Sequence, residues 1–226
     1  MTTMLYAIFY KEWIKTRWYY IIASAVLLGF VCYAALYLNR VGDLAGMKNL
    51  WDYFLIKNDS LISIVKYIPL IVGIGGAVSQ FAPEMYRKCL KLTLHLPCNE
   101  YFLVGSMMLY GCGIMVAVSI VSLTILFLTL NGILPPEIIS GILQASIPWF
   151  LAGVCGYLLT TWVVLQPVTK KRILQAILGA FVLRTFFLTD TMQAYTPSIW
   201  IFAATTVLTA LLTIISLNDF KEGRQD

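Results

Sequence analysis

An all-α integral membrane protein is the fold class this sequence predicts, and three observations predict it. Of its 226 residues, 60% are apolar and only 12% are charged, against roughly a quarter charged in an ordinary soluble domain. The mean hydropathy is +0.82. The apolar residues gather into six runs separated by Asn, Asp, Pro and Lys/Arg clusters, and runs of about 20 residues cross a hydrocarbon core of roughly 30 Å as helices. That leaves almost nothing for a separate catalytic or nucleotide-binding module, so residues 1–226 are expected to form one transmembrane domain.

The elements follow in order. Residues 1–17 place Leu5, Phe9 and Trp13 at i, i+4 spacing with Lys11 and Lys15 on another face, the pattern of an amphipathic interfacial helix; a basic flank that only sets topology is the plainer reading. Span 18–38 follows. It is too long for the 7–15-residue core of a signal peptide. The second span is 61–81. The third and fourth, 101–130 and 138–165, exceed what a bilayer needs and must tilt or project. Between them, Asn131 to Glu137 makes a short turn, and Pro148 predicts a kink in the fourth. The fifth and sixth are 173–189 and 199–217.

Charge position sets the orientation. Lys11, Lys15, Arg17, Arg87, Lys88, Lys91, Lys170, Lys171, Arg172, Lys221 and Arg224 all fall on one side of this layout. Arg40, Lys48 and Lys57 fall on the other, balanced by Asp43, Asp52 and Asp59. The positive-inside rule then makes both termini cytoplasmic. The net charge of +5 is therefore a topology signal, and no nucleic-acid partner is expected. The five cysteines show no disulfide or metal spacing. Gly73 to Ala77, Gly113 to Ala117 and Ala152 to Gly156 have the spacing that lets membrane helices approach closely.

Residues 82–100 form the most informative connection. Glu84 stands three and four positions before Arg87 and Lys88, so on a helix they face one another. Leu90, Leu92, Leu94 and Leu96 then alternate with Lys91, Thr93 and His95, and Asn99 is placed to cap the next helix. A solvated connector needs no such row of leucines, so a structured, two-faced element is expected, with His95 at its surface.

Phe9-Tyr10-Lys11-Glu12-Trp13, the six-span layout and Glu84 through Phe102 together resemble the ABC-2 type permeases, the membrane subunits of ABC exporters. The resemblance implies that the N-terminal helix, with Phe9, Lys11, Glu12, Trp13 and Lys15, is the family's connecting helix. It implies that 82–98 contains the coupling helix, with Glu84, Arg87, Lys88, Lys91 and His95 facing a separate ATPase or making local salt bridges. Its partners would be a pair of ATPase subunits carrying ATP and Mg, a second permease copy or paralogue, and membrane lipid. The setting would be the inner membrane of a bacterium. Members often carry a sizeable outer segment before the last span; here only Asp190 to Ser198 is available.

Lys66 and Arg184 are the basic residues within the predicted spans. Each either snorkels to the outer headgroups or pairs, for instance with Asp190, or else lines a cationic outer vestibule. As for function classes, there is one histidine, no Gly-x-x-x-x-Gly-Lys-Ser/Thr, no His-Glu-x-x-His and no Gly-x-Ser-x-Gly. An enzyme is not expected, and no cofactor is expected on this chain. An ATP-independent channel or secondary transporter, or a membrane sensor or assembly subunit, is the alternative. Against secondary transport stands an almost wholly apolar midplane without evident coupling-ion ligands.

Overall fold

The computed structural model describes residues 2–52, 65–86, 99–131, 135–188 and 195–221, and the described residues are helical without a strand. Helix α1 runs Thr2–Asp52, α2 Ile68–Tyr86, α3 Glu100–Leu130, α4 Pro136–Val164, α5 Thr169–Thr185 and α6 Ile199–Lys221. One 3₁₀ turn, Thr196–Ser198, precedes α6. All except α5 are long and apolar enough to cross a membrane. The molecule is a multi-pass helical membrane protein.

Several boundaries differ from those expected. No break separates an interfacial helix from the first span, and none ends that span at residue 38: α1 is one helix of 51 residues, about 76 Å long at 1.5 Å per residue. The chain has no proline before Pro69 to stop it. The second span starts at Ile68 rather than 61, after a turn at Val65 to Tyr67, and continues past 81 through Pro83 to Tyr86. Helices α3 and α4 match expectation within two residues at each end, and α4 passes through Pro148 as one helix. Helix α5 has 17 residues and begins and ends about four positions early.

Asn99 caps α3 as its sequence position suggests, its side chain accepting from the Tyr101 N–H, with Glu100 in the positively charged first turn. Pro136 opens α4, where a missing N–H costs nothing.

Helix α4 is central, packing on α2, α3, α5 and α6. Its closest neighbour is α2, and glycines make that approach possible. A Cβ on Gly73 would stand 2.0 Å from the Gly153 carbonyl oxygen, and one on Gly153 would meet the Pro69 carbonyl at 2.7 Å. Gly113 and Ala117 instead face outward, and a Cβ at Gly113 meets nothing within 4 Å, so that pair is not an internal packing seam.

Side-chain pairings give the directions. Lys15 with Glu84 and Tyr19 with Val72 make α1 and α2 antiparallel. Trp162 with Ser216 and Gln166 with Asp219 make α4 and α6 parallel. Helix α5 returns against α6, from Gln175 at Ser216 to Phe186 at Phe202, whose rings lie 4.7 Å apart. The α1 start, the α2 end and the starts of α3 and α5 thus gather at one end of the bundle, which among the described residues also carries most of the lysines and arginines.

Candidate functional site

At that basic end, four of the residues singled out from sequence come together. Lys15 Nζ donates to Glu12 Oε1 at 2.9 Å, within a turn of α1, and to Glu84 Oε1 at 2.9 Å on α2. Lys11 Nζ approaches the same Glu84 oxygen at 3.0 Å. Glu12 is fully buried, Glu84 is 4% exposed at its side chain, Lys15 is 20% exposed and Lys11 is 45% exposed. Glu84 thus bonds across to α1, whereas its expected partners Arg87 and Lys88 lie outside the described residues, as do Lys91 and His95. Removing a carboxylate from water costs several kcal/mol unless a counter-charge is close and hydrogen-bonded. Two lysines on successive turns of α1 supply that compensation, because positions 11 and 15 share a helix face.

Aromatic packing locks this segment into the bundle. Phe9 meets Tyr110 with ring centroids 5.8 Å apart, and Tyr110 also packs edge-on to Tyr20 at 6.3 Å. The Thr16 hydroxyl donates to the Glu12 carbonyl and lies 3.2 Å from the Tyr110 hydroxyl. Residues 8–20 of α1 therefore pack along α2 and α3 rather than lying apart as a surface helix. Trp13, 44% exposed, faces away from the cluster, and Arg17 stacks over Trp18 at 5.8 Å.

Deeper in, a second polar group joins three helices. Gln80 on α2 donates to the Met107 carbonyl of α3 at 2.9 Å and accepts from the Tyr157 hydroxyl of α4 at 2.7 Å. Gly111 makes room for that phenol, since a Cβ there would stand 2.1 Å from its oxygen. Tyr20 and Glu84 Oε2 are buried without a hydrogen-bond partner among the described residues. Gln80, Tyr110 and Tyr157 were not anticipated; a glutamine inside an apolar run was the one available sign.

The same end holds another ion pair. Asp219 Oδ2 accepts from Lys171 at 2.8 Å and from Gln166 at 3.0 Å, while Arg172 donates twice to the Gln166 carbonyl. Three cations at the start of α5 and a carboxylate near the end of α6 each sit at the unfavourable pole of their helix dipole. Bringing them together offsets both.

At the far end, Lys66 stands before the first residue of α2, Ile68. It lies in the turn before α2, buried, with its ammonium 5.3 Å from the Tyr67 ring and 5.8 Å from that of Phe187. Those rings stack at 5.0 Å, so cation–π attraction holds the charge inward rather than extended to headgroups. Arg184 is exposed in the last turn of α5, three residues from Phe187, where the helix dipole favours a cation. Its suggested partner Asp190 lies outside the described residues.

No metal-ligating cluster occurs among the described residues. The charged cluster joins the start of α1 to the end of α2; chemically it supplies an electrostatic joint between these two helices. Compared with known proteins, the chain matches no family model, no curated protein and no solved structure.

Proposed function

We propose that this chain is the membrane-spanning subunit of an ATP-driven exporter of the ABC-2 type, energised by ATPase subunits on separate polypeptides. The observation that carries the reading is the joint in which Lys11 and Lys15 of α1 hold the buried Glu84 carboxylate of α2. A partner pushing on residues 84–96 would move α1 and α2 as one body, because Glu84 cannot leave its lysines without exposing uncompensated charge. The antiparallel run of α5 beside α6 supports counting it as a sixth crossing, which with the basic end inside puts both termini in the cytoplasm. One domain, a second permease copy, an inner-membrane setting and a lipid-like, peptide or amphipathic cargo belong to the same reading. ATP and Mg would reside on the partner.

Affinity purification from the native host tests it: an ATPase should co-purify in fixed stoichiometry. Replacing Glu84 and Arg87 together should leave insertion intact while ATP hydrolysis no longer drives transport. A double variant that hydrolyses and transports normally would remove this loop from the coupling role.

A second reading, ATP-independent secondary transport, is favoured by one observation: Glu12 and Glu84, two buried carboxylates on different helices, share Lys15. It predicts substrate uptake into vesicles driven by an imposed ion gradient without ATP and abolished in Glu12→Gln. ATP-dependent uptake indifferent to the gradient decides for the first reading.

A further inference from the structure

Glu12, Thr16 and Tyr20 follow one another at four-residue spacing on α1, and Gly76, Gln80 and Glu84 do the same on α2, so each set forms one stripe along its helix. The two stripes face each other. Glu12 and Glu84 share Lys15, and the Tyr20 hydroxyl points at Gly76, where a Cβ would stand 3.1 Å from it. The antiparallel register between those two contacts sets Thr16 level with Gln80. Tyr110 closes the seam from α3, its hydroxyl 3.2 Å from that of Thr16 and its ring 6.3 Å from that of Tyr20. None of Glu12, Thr16, Tyr20, Gln80 and Glu84 is more than 4% exposed.

From Glu12 to Tyr20 the stripe rises about 12 Å, which carries polar groups well into a hydrocarbon core of about 30 Å. Hydrocarbon offers them no partners. Yet the Tyr20 hydroxyl and Glu84 Oε2 have no hydrogen-bond partner among the described residues, and they lie toward the two ends of the same seam. A phenylalanine would fill the place of the Tyr20 ring and leave no hydroxyl to satisfy. Enclosed water is what ordinarily meets such leftover groups, making about three hydrogen bonds to them. The chemistry of the seam selects the same ligand. Lys11 and Lys15 already answer the charge of Glu84 and Glu12, so a further cation has no counter-charge here, and the two carboxylates repel an anion. A neutral molecule that both donates and accepts suits a hydroxyl and a carboxylate oxygen alike. Access is from the basic end, where Lys15 is 20% and Lys11 45% exposed.

We propose that the α1–α2 seam binds water inside the bundle, one molecule joining the Tyr20 hydroxyl to the Thr16–Tyr110 pair and another meeting Glu84 Oε2, with entry at the basic end beside Lys11. The proposal requires only that these helices cross a bilayer and does not depend on the transport reading.

Radiolytic footprinting of the protein in lipid nanodiscs tests it, because a short X-ray pulse makes hydroxyl radicals wherever water lies and these oxidise the side chains beside it. After correction for intrinsic reactivity, Tyr20 and Tyr110 should be oxidised at rates closer to that of exposed Tyr6 than to those of Trp149 and Phe186, which are as deeply buried but off the seam. Tyr20→Phe should lose the oxidation at Tyr110 and lower Tm, since the bound water loses a partner. A dry, unpartnered hydroxyl would behave in the opposite way, its removal being neutral or stabilising. Protection of Tyr20 and Tyr110 equal to that of Trp149 overturns the proposal, as does oxidation of Trp149 and Phe186 at the rate of Tyr20, which means general penetration by solvent. A Tyr20→Phe variant that keeps the oxidation at Tyr110, or whose Tm does not fall, overturns it as well.

Discussion

Lys15 sits between two carboxylates and is their common partner, whereas Lys11 touches one of them and is nearly half in solvent. Their removal should therefore differ. Lys15→Met leaves Glu12 and Glu84 buried without their shared cation, a loss of about 3–5 kcal/mol; Lys11→Met removes a solvent-screened contact worth about 0–1 kcal/mol. Thermal unfolding of the two variants in one detergent should show a large drop in Tm for the first and little change for the second. Equal drops would mean that burial does not decide the joint's strength. Each charge was visible in the sequence near a span end, but the bond between Lys15 and Glu84 closes over 69 positions. Local spacing instead pointed Glu84 at Arg87 and Lys88, its neighbours on a helix.

Among elements, the α2–α4 contact is the one glycine decides. Gly73→Ala drives a methyl group into the Gly153 carbonyl, which is backbone and cannot swing aside. Overpacking of this kind costs about 1–3 kcal/mol. Gly113→Ala, facing open space, should be neutral or slightly stabilising through helix propensity. Comparing the two variants' Tm and monodispersity checks this, and an undisturbed Gly73→Ala would refute the close approach. Small-residue spacing exposed all three glycine pairs in the sequence without saying which turned inward. In lipid there is no hydrophobic penalty for pointing a glycine outward, so the pattern alone does not choose. The extent of α1 was hidden for a related reason. Polar residues after 38 signal the end of the apolar core, whereas a helix ends only when its backbone is broken.

For the whole molecule, the directions of the helices place Tyr6, Tyr86 and Lys170 at one end and Glu137 and Ser140 at the other. In a cysteine-free background, single cysteines at 6, 86 or 170 should be shielded in intact cells from a thiol reagent that cannot cross the membrane, and labelled after permeabilisation. Cysteine at 137 should react from outside. Labelling at 6 from outside inverts the orientation; labelling of 86 and 137 from the same side breaks the helix order itself. Membrane residence, helical structure and the one-sided distribution of basic charge were all determined by the sequence alone. The reason is that the bilayer acts residue by residue: it forces backbone hydrogen bonds inside each segment and penalises charge by depth. Only the tertiary structure decided that α4 is central, that Lys15 binds Glu84, that Lys66 turns into aromatic rings and that the polar stripes of α1 and α2 face each other. Those outcomes depend on which apolar faces meet, and to hydrocarbon all such faces are alike until close packing and a few polar contacts distinguish them.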